Sequence, residues 1–464
     1  TMTEQLKLKL NDSKATRWGA LVIVAFTMMA AYYVNDVVAP LKTMLETDLA
    51  WSSTDFGFFT GGYSFLNVFF LMLIWGGLIL DRFGIRFTGK LATILMVGGT
   101  ALEYYAMTGL AGADATLFGI NEIFGYKTGV FVAFAGYSIF GVGAEVAGIT
   151  VSKIIAKWFK GKELATAMGV QVALARIGSQ AGYAVAIPLA RAFGISTPVL
   201  LGLVLLLGGM IAFFIFAVMD KKLDKQMEAA AIAAGTEDEE EKFSFKDVKN
   251  ILVNPGFWLI ALLCVLFYSC VFPFQKFASE LMIIKYGINE NVAGTFAGLP
   301  ALGALILTPV FGGFIDKRGK SASIMLLGSA MLICVHFIYA IPDINYWLVA
   351  IVLMIILGIA FSLVPSAMWP AVAKIFPVSQ LGTAYALIFF IQNIGLWGIP
   401  TLIGWVLDAY CISGKKPDGT NMYDYTVPMC IFTGIACLSL IVALLLKKAD
   451  KKYGYKLEEP NIQK

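Results

Sequence analysis

A glutamate and an arginine stand inside apolar sequence, where charge is costly. Glu145 lies in FVAFAGYSIFGVGAEVAGITV and Arg176 in ATAMGVQVALARIGSQAGYAVAIP. An ionisable side chain at the centre of a membrane helix costs about 2.5–3.5 kcal/mol on insertion scales. Measured as helix, Glu145 is about 12 residues, or roughly 18 Å, from the polar boundary at Lys157, and Arg176 is about 13 residues, or roughly 20 Å, from Glu163. A tight turn joins the two segments, so the opposite charges share one depth near the middle of a membrane. Two chemistries fit them. One is a permanent ion pair, which often adds little net stability. The other is a binding site in which Arg176 takes a carboxylate in bidentate fashion and Glu145 takes an ammonium.

Weaker candidates surround this pair. Gln392 and Asn393 place a polar patch at the same depth, either lining a cavity or bonding a neighbouring helix. Tyr32, Tyr63, Tyr183, Tyr385 and Trp369 either wall a cavity or pack. Asp36 reads as a gate residue or an interfacial carboxylate near the end of the first apolar run, and Lys276 as a residue of the outer mouth. The lone histidine, His336, reads as packed. Gly141, Gly143 and Gly148 read as points of close helix approach. Cys264, Cys270, Cys334, Cys411, Cys430 and Cys437 show no metal-like spacing, so no metal or other cofactor is expected.

The elements that hold these residues are membrane helices. Of 464 residues, 59% are hydrophobic and 14% charged, against about 25% charged in soluble domains. Mean hydropathy is +0.78. Continuous apolar runs of about 20 residues suit helices crossing about 30 Å of hydrocarbon and exclude a β-barrel, whose strands alternate over about ten residues. The runs predict twelve spans, near 18–40, 56–80, 87–107, 128–156, 164–189, 197–219, 256–283, 291–315, 322–341, 346–373, 381–408 and 424–446. Lys and Arg crowd alternate connections: Lys7 to Arg17, Arg82 to Lys90, Lys157 to Lys162, Lys221 to Lys225, Lys317 to Lys320 and Lys447 to Lys452. The opposite side has single residues such as Lys42, Lys127 and Lys285. Both termini are therefore expected in the cytoplasm, and the net charge of +4 reflects topology rather than nucleic-acid binding.

The chain is also duplicated. A slide of 217 residues aligns Ala156–Gly178 with Ala373–Gly395 without a gap, and GGLILDRFGIR at Gly76–Arg86 returns as GGFIDKRGK at Gly312–Lys320. The expected organisation is a six-helix bundle over 1–219, a cytoplasmic linker over 220–255 with the acidic run Glu237–Glu241, a second bundle over 256–447 and a tail over 448–464. In the second half the partners of Glu145 and Arg176 are Ser362 and Asn393. The fold thus has no general need for the two charges.

The segment G-x-x-x-D-R-x-G-x-R at Gly77–Arg86, with its degraded copy, resembles the signature loop of the major facilitator superfamily. The resemblance implies an all-α protein of two pseudo-symmetric six-helix bundles that rocks about a central site. It also implies gating roles for Asp81, Arg82, Arg86 and Asp316, the two aspartates being suited to cap a neighbouring helix N-terminus. YYVNDVVAPL, GYSFLNV, GVGAEVA, WFKGKELATAMGVQVALARIGS, VFPF and MWPAVAKIFPVSQLGTAYALIFFIQNIGL are similar to stretches of animal lysosomal dipeptide uniporters. That similarity implies that Glu145 and Arg176 hold a dipeptide's ammonium and carboxylate.

The sequence thus points to a non-enzymatic transporter of dipeptides or similar small zwitterions. No P-loop is present to use ATP. No second carboxylate is read in the core beside Glu145, which favours uniport over a proton relay. The partners expected are the substrate and the lipid bilayer, with no nucleic acid, and the working unit is a monomer. An organic-anion exchanger and a non-transporting membrane scaffold or receptor stand as alternatives. Lack of an acidic dileucine address and of outer Asn-x-Ser/Thr sites favours a bacterial inner membrane.

Overall fold

A computed structural model describes residues 9–159, 162–234 and 244–461. Lys7, Lys160 and the acidic run Glu237–Glu241 lie outside the described residues. The helices are α1 (Lys14–Val37), α2 (Lys42–Leu49), α3 (Ser53–Phe69), α4 (Met72–Thr108), α5 (Thr128–Trp158), α6 (Leu164–Phe193), α7 (Thr197–Ala234) and α8 (Phe245–Leu252). They continue with α9 (Pro255–Ser269), α10 (Phe272–Tyr286), α11 (Glu290–Ala297), α12 (Leu299–Arg318), α13 (Ser321–Ala340), α14 (Trp347–Ile375), α15 (Val378–Tyr410) and α16 (Thr426–Tyr453). Two short hairpins, β1–β2 (Glu122–Ile123, Tyr126–Lys127) and β3–β4 (Ile412–Lys415, Asn421–Tyr423), decorate one face.

These helices make twelve spans in two bundles, α1–α7 and α9–α16, but several are broken where the sequence reads straight. The second span bends by 58° between α3 and α4, where Leu71 takes a left-handed φ of 54°. The seventh breaks between α9 and α10 at Cys270–Val271, just before Pro273, which has no N–H to continue the ladder. The eighth breaks at Gly298, between α11 and α12. Conversely α4 runs on through the second and third spans, reversing at Gly84 (φ 80°, ψ 178°), a conformation essentially reserved for glycine. Helix α7 continues past residue 219 to Ala234, and α8 adds a short helix within 220–255, Ser244 N–H donating to Thr383 Oγ1 at 3.2 Å.

The face bearing both termini and the opposite, far face differ in how the bundles meet. On the far half the bundles are sewn together. Thr54 donates to Asp408 through N–H and hydroxyl, both at 2.6 Å, Arg191 pairs with Glu290, and Gln180 donates to Thr295 O at 3.4 Å. Helices α3 and α15 touch backbone to backbone there. A Cβ on Gly57 would fall 2.4 Å from Pro400 O and 2.9 Å from Gly404 Cα. On the termini-bearing half, three sets of bonds each lie inside one bundle. Arg17 holds Glu163 at 2.7 and 3.0 Å, and Arg86 and Lys157 converge on Asp220 at 2.8 and 2.9 Å. Glu458 bonds Ser323 N and Oγ at 2.7 and 2.8 Å. The protein is thus closed on the far face.

Candidate functional site

Glu145 on α5 and Arg176 on α6 are only partly buried. Tyr63 on α3 donates its hydroxyl to Glu145 Oε1 at 2.9 Å. Arg176 makes no hydrogen bond or ion pair among the described residues. Its guanidinium instead lies 5.8 Å from the ring centroid of Tyr32 and 4.9 Å from that of Phe361, a residue of the other bundle. Both charges act on the Tyr32 hydroxyl, yet no ion pair joins them. The structure therefore disfavours the permanent pair. It presents an anchored carboxylate and an unengaged guanidinium, the second flanked by aromatic faces, a favourable setting for a cation.

The second half bears out the contrast. Ser362 Oγ donates to Gly358 O at 2.8 Å and Asn393 Nδ2 to Phe389 O at 2.8 Å, each within its own helix. Asn393 and Gln392 are 2% and 8% exposed, and Asn393 Oδ1 has no hydrogen-bond partner among the described residues. Trp369 and Tyr385 are partly exposed and belong to one aromatic wall. Trp369 Nε1 donates to the Tyr268 hydroxyl at 3.1 Å, the Tyr385 hydroxyl donates to Trp369 O at 2.9 Å, and Trp369 stacks on Phe389 at 4.9 Å. Tyr183 differs from the expectation of a cavity wall. It is 2% exposed and packs into the far seam, where Cβ atoms on Gly294 and Gly298 would meet its carbonyl and ring.

Asp36 lies where the bundles meet, and Lys276, expected at the outer mouth, is buried against it. Lys276 Nζ, on α10, reaches across to α1, donating to Asn35 O at 2.7 Å and Asp36 Oδ1 at 3.4 Å, and to the Tyr137 hydroxyl at 3.3 Å. Ser179 also donates to Asp36. Sequence reasoning missed a second crossing. Lys42, read as a loop charge, is 1% exposed and donates to Glu280 Oε1 and Oε2 at 2.8 and 2.9 Å, to Ser53 Oγ at 2.7 Å and to Glu46. The Tyr425 hydroxyl closes the network on Glu280 at 2.9 Å. A signal was available. Asp36 and Lys42 end the first span as Lys276 and Glu280 end the seventh, complementary charges on repeat-related helices.

The signature loops are not helix caps in this arrangement. Asp81 faces Lys153 at 3.9 Å, and Asp316 accepts from Asn461 Nδ2 of the C-terminal tail at 2.8 Å. Arg82 lies over Phe83 at 5.5 Å, while Arg86 ties the loop to α7 through Asp220 and Asp224. His336 is packed as expected, its Nε2 2.9 Å from Cys270 O and its ring stacked on Phe432. One expectation is overturned: Glu145 is not alone in the core. Glu103 on α4 is 1% exposed, with neither carboxyl oxygen hydrogen-bonded.

Known proteins match this architecture across nearly its whole length. The chain is 29% identical over 454 residues to the lysosomal dipeptide transporter MFSD1 of Homo sapiens, spanning 95% of this chain and 88% of that one. It is 33% identical over 287 residues to that of Gallus gallus, spanning 59% and 62%. Among solved structures it resembles the peptide transporter POT at a TM-score of 0.67 and 14% identity, covering 95% of each chain. It also resembles the nucleoside transporter NupG at 0.68 and 12% identity, covering 92% of this chain and 98% of that one. The Major Facilitator Superfamily matches residues 21–400 and again 277–459, and the chain belongs to that family as a membrane transporter.

Proposed function

We propose that the chain carries dipeptides by alternating access. The observation that supports this most is the state of Arg176. A guanidinium inside a span, partly accessible and without a carboxylate partner among the described residues, offers a partner to an anionic group, while Glu145, held by Tyr63, offers the complementary place for an ammonium. Opposite charges kept apart on neighbouring helices suit a molecule carrying both. An extended dipeptide spans roughly 7 Å. The similarity to transporters named for dipeptides supports the same reading.

In this reading, movement is uniport. The substrate enters between Glu145 and Arg176, against Tyr32, Tyr63, Trp369 and Tyr385, with Gln392 near the wall. Exchange of far-seam bonds for bonds on the termini-bearing face exposes it to either side. Asp36 and the signature loops, with Asp81, Arg82, Arg86 and Asp316, set that exchange. The crowding of Lys and Arg on the termini-bearing face supports placing that face in the cytoplasm, of a bacterial inner membrane in this reading, with one chain as the working unit.

Uptake into proteoliposomes tests the proposal. Labelled dipeptide should accumulate to equilibrium without ATP, and unlabelled dipeptides should compete where dicarboxylates do not. Competition by dicarboxylates alone would instead favour an organic-anion exchanger.

A further inference from the structure

Glu103 lies where α4 crosses α5. A Cβ on Gly136 would fall 2.9 Å from the Glu103 nitrogen. The next residue along α5 is Tyr137, whose hydroxyl donates to Asn35 O at 2.7 Å and receives the Lys276 ammonium at 3.3 Å. Glu103 stands within electrostatic reach of Lys276 and Tyr137, but the bonds of Lys276 go elsewhere, to Asn35, Asp36 and Tyr137. Two carboxyl groups therefore share one ammonium, and only Asp36 is bonded to it. The other elements along α4 offer no relief. Helix α7 has no ionisable side chain between Thr197 and Met219, and Tyr63 on α3 is committed to Glu145.

A carboxylate left in such a place without a donor costs several kcal/mol, and the cost disappears if the group carries a proton. Opening of the far seam changes the setting. Lys276 departs with its bundle, water reaches Asp36, Tyr137 and the α4–α5 crossing, and a solvated carboxylate is stable there. Glu103 is about five residues, or roughly 8 Å, from the far end of α4 at Thr108, so its route to water runs to the far compartment.

We propose that Glu103 is a proton-binding site, filled from the far compartment as the gate of Asp36 and Lys276 closes and emptied to the same compartment as it opens. The step is a protonation, carboxylate plus one proton giving the carboxylic acid. The proton enters and leaves on one side. Far-side acidity therefore drives closure without driving substrate uphill, and the linkage is compatible with uniport. The proposal rests on alternating access alone, whatever the substrate.

Spin labels on Asp114→Cys and Asp343→Cys, in exposed far-side loops of the two bundles, report the seam by electron–electron distance measurement. The ligand-free protein is held in nanodiscs, with Cys334, Cys430 and Cys437 replaced. Between about pH 8 and pH 5 the ratio of closed to open protein should rise by up to about tenfold per pH unit of acidification. Glu103→Gln should stay closed with no slope, whereas Asp36→Asn should favour the open state yet keep the slope. Glu103→Asp, a second check on folding and role, should shift the midpoint. A wild-type slope in Glu103→Gln, an unchanged midpoint in Glu103→Asp, or a flat wild type overturns the proposal. Dipeptide binding enters none of these readings, so the substrate assignment can fail while this one stands, and the reverse.

Discussion

Replacing Arg176 with alanine separates the cost to the fold from the cost to the ligand. The guanidinium has no hydrogen bond or ion pair among the described residues, only the faces of Tyr32 and Phe361 at 5.8 and 4.9 Å. Its removal forfeits two cation–π contacts at about 0.5–1 kcal/mol each and breaks no hydrogen bond or ion pair among the described residues, so the melting temperature should fall little. The ligand fares worse. A dipeptide carboxylate that has left water loses its charged partner, a penalty of about 3–5 kcal/mol when fully buried. The partial exposure of Arg176 reduces this to about 2–3 kcal/mol, or affinity lowered about 30- to 150-fold. Calorimetric titration of detergent-solubilised protein with a free-acid dipeptide and its C-terminal amide, in wild type and variant, makes a double-perturbation cycle. Variant and amide remove the same contact, so together they should cost no more than either alone. Strictly additive losses, or an amide bound by the wild type as tightly as the free acid, would refute the assignment of the carboxylate to Arg176.

Other positions test the machinery around the site. Gly57→Val should force α3 from α15 at the far seam, because its side chain would meet Pro400 O and Gly404 Cα at or inside 2.9 Å. Spin-label distances across the far loops should lengthen, and unchanged distances would contradict the backbone contact. Asp81→Asn should slow turnover more than it weakens binding, since Asp81 faces Lys153 at 3.9 Å rather than the cavity; equal losses of uptake and ligand-induced thermal stabilisation would argue against a gating role. The Arg17 guanidinium holds the Glu163 carboxyl down to about 2. A carboxyl with a depressed value contributes stability in full above its ordinary range and loses it as pH falls towards 2. The stability difference between wild type and Glu163→Gln should therefore be constant from neutral pH to about pH 5 and shrink only below that, whereas a difference that vanished by about pH 5 would exclude the pair.

The spans and duplication were legible because a membrane makes each segment declare itself: about 20 apolar residues per crossing, with cations sorted by side. Glu145 and Arg176 were legible for the same reason, as charges where charge is expensive. Breaks were not. Leu71, Cys270 and Gly298 interrupt helices within runs whose hydropathy never falters, and Gly84 lets α4 turn inside what reads as a loop. The seam was also hidden. Lys42, Glu46 and Glu280 lie near span ends, where a charge is ordinarily solvated or snorkelling, and only the meeting of the bundles buries them. Glu103 escaped notice because it stands five residues from the end of α4, inside the margin where a span boundary read from sequence is uncertain.

The distribution of charge separates what moves from what is carried. Cations that bond across the far seam are compensated: Lys276 by Asp36, Lys42 by Glu46 and Glu280 with Lys416 3.9 Å from Glu46, Arg191 by Glu290. Such pairs can be broken and remade as the bundles rock, each partner finding water on the side that opens. Glu145 and Arg176 follow another rule. They belong to the same bundle, so rocking neither makes nor breaks a bond between them, and they remain apart in the closed-far arrangement seen here. Their sum is zero. A zwitterion between them leaves the loaded cavity neutral, and the centre of the protein crosses the membrane field with no net charge whether empty or full. A monoanion on Arg176 would leave Glu145 uncompensated at the depth where an unpaired charge costs most. This charge balance, more than the aromatic residues around it, favours the proposed dipeptide over a simple carboxylate.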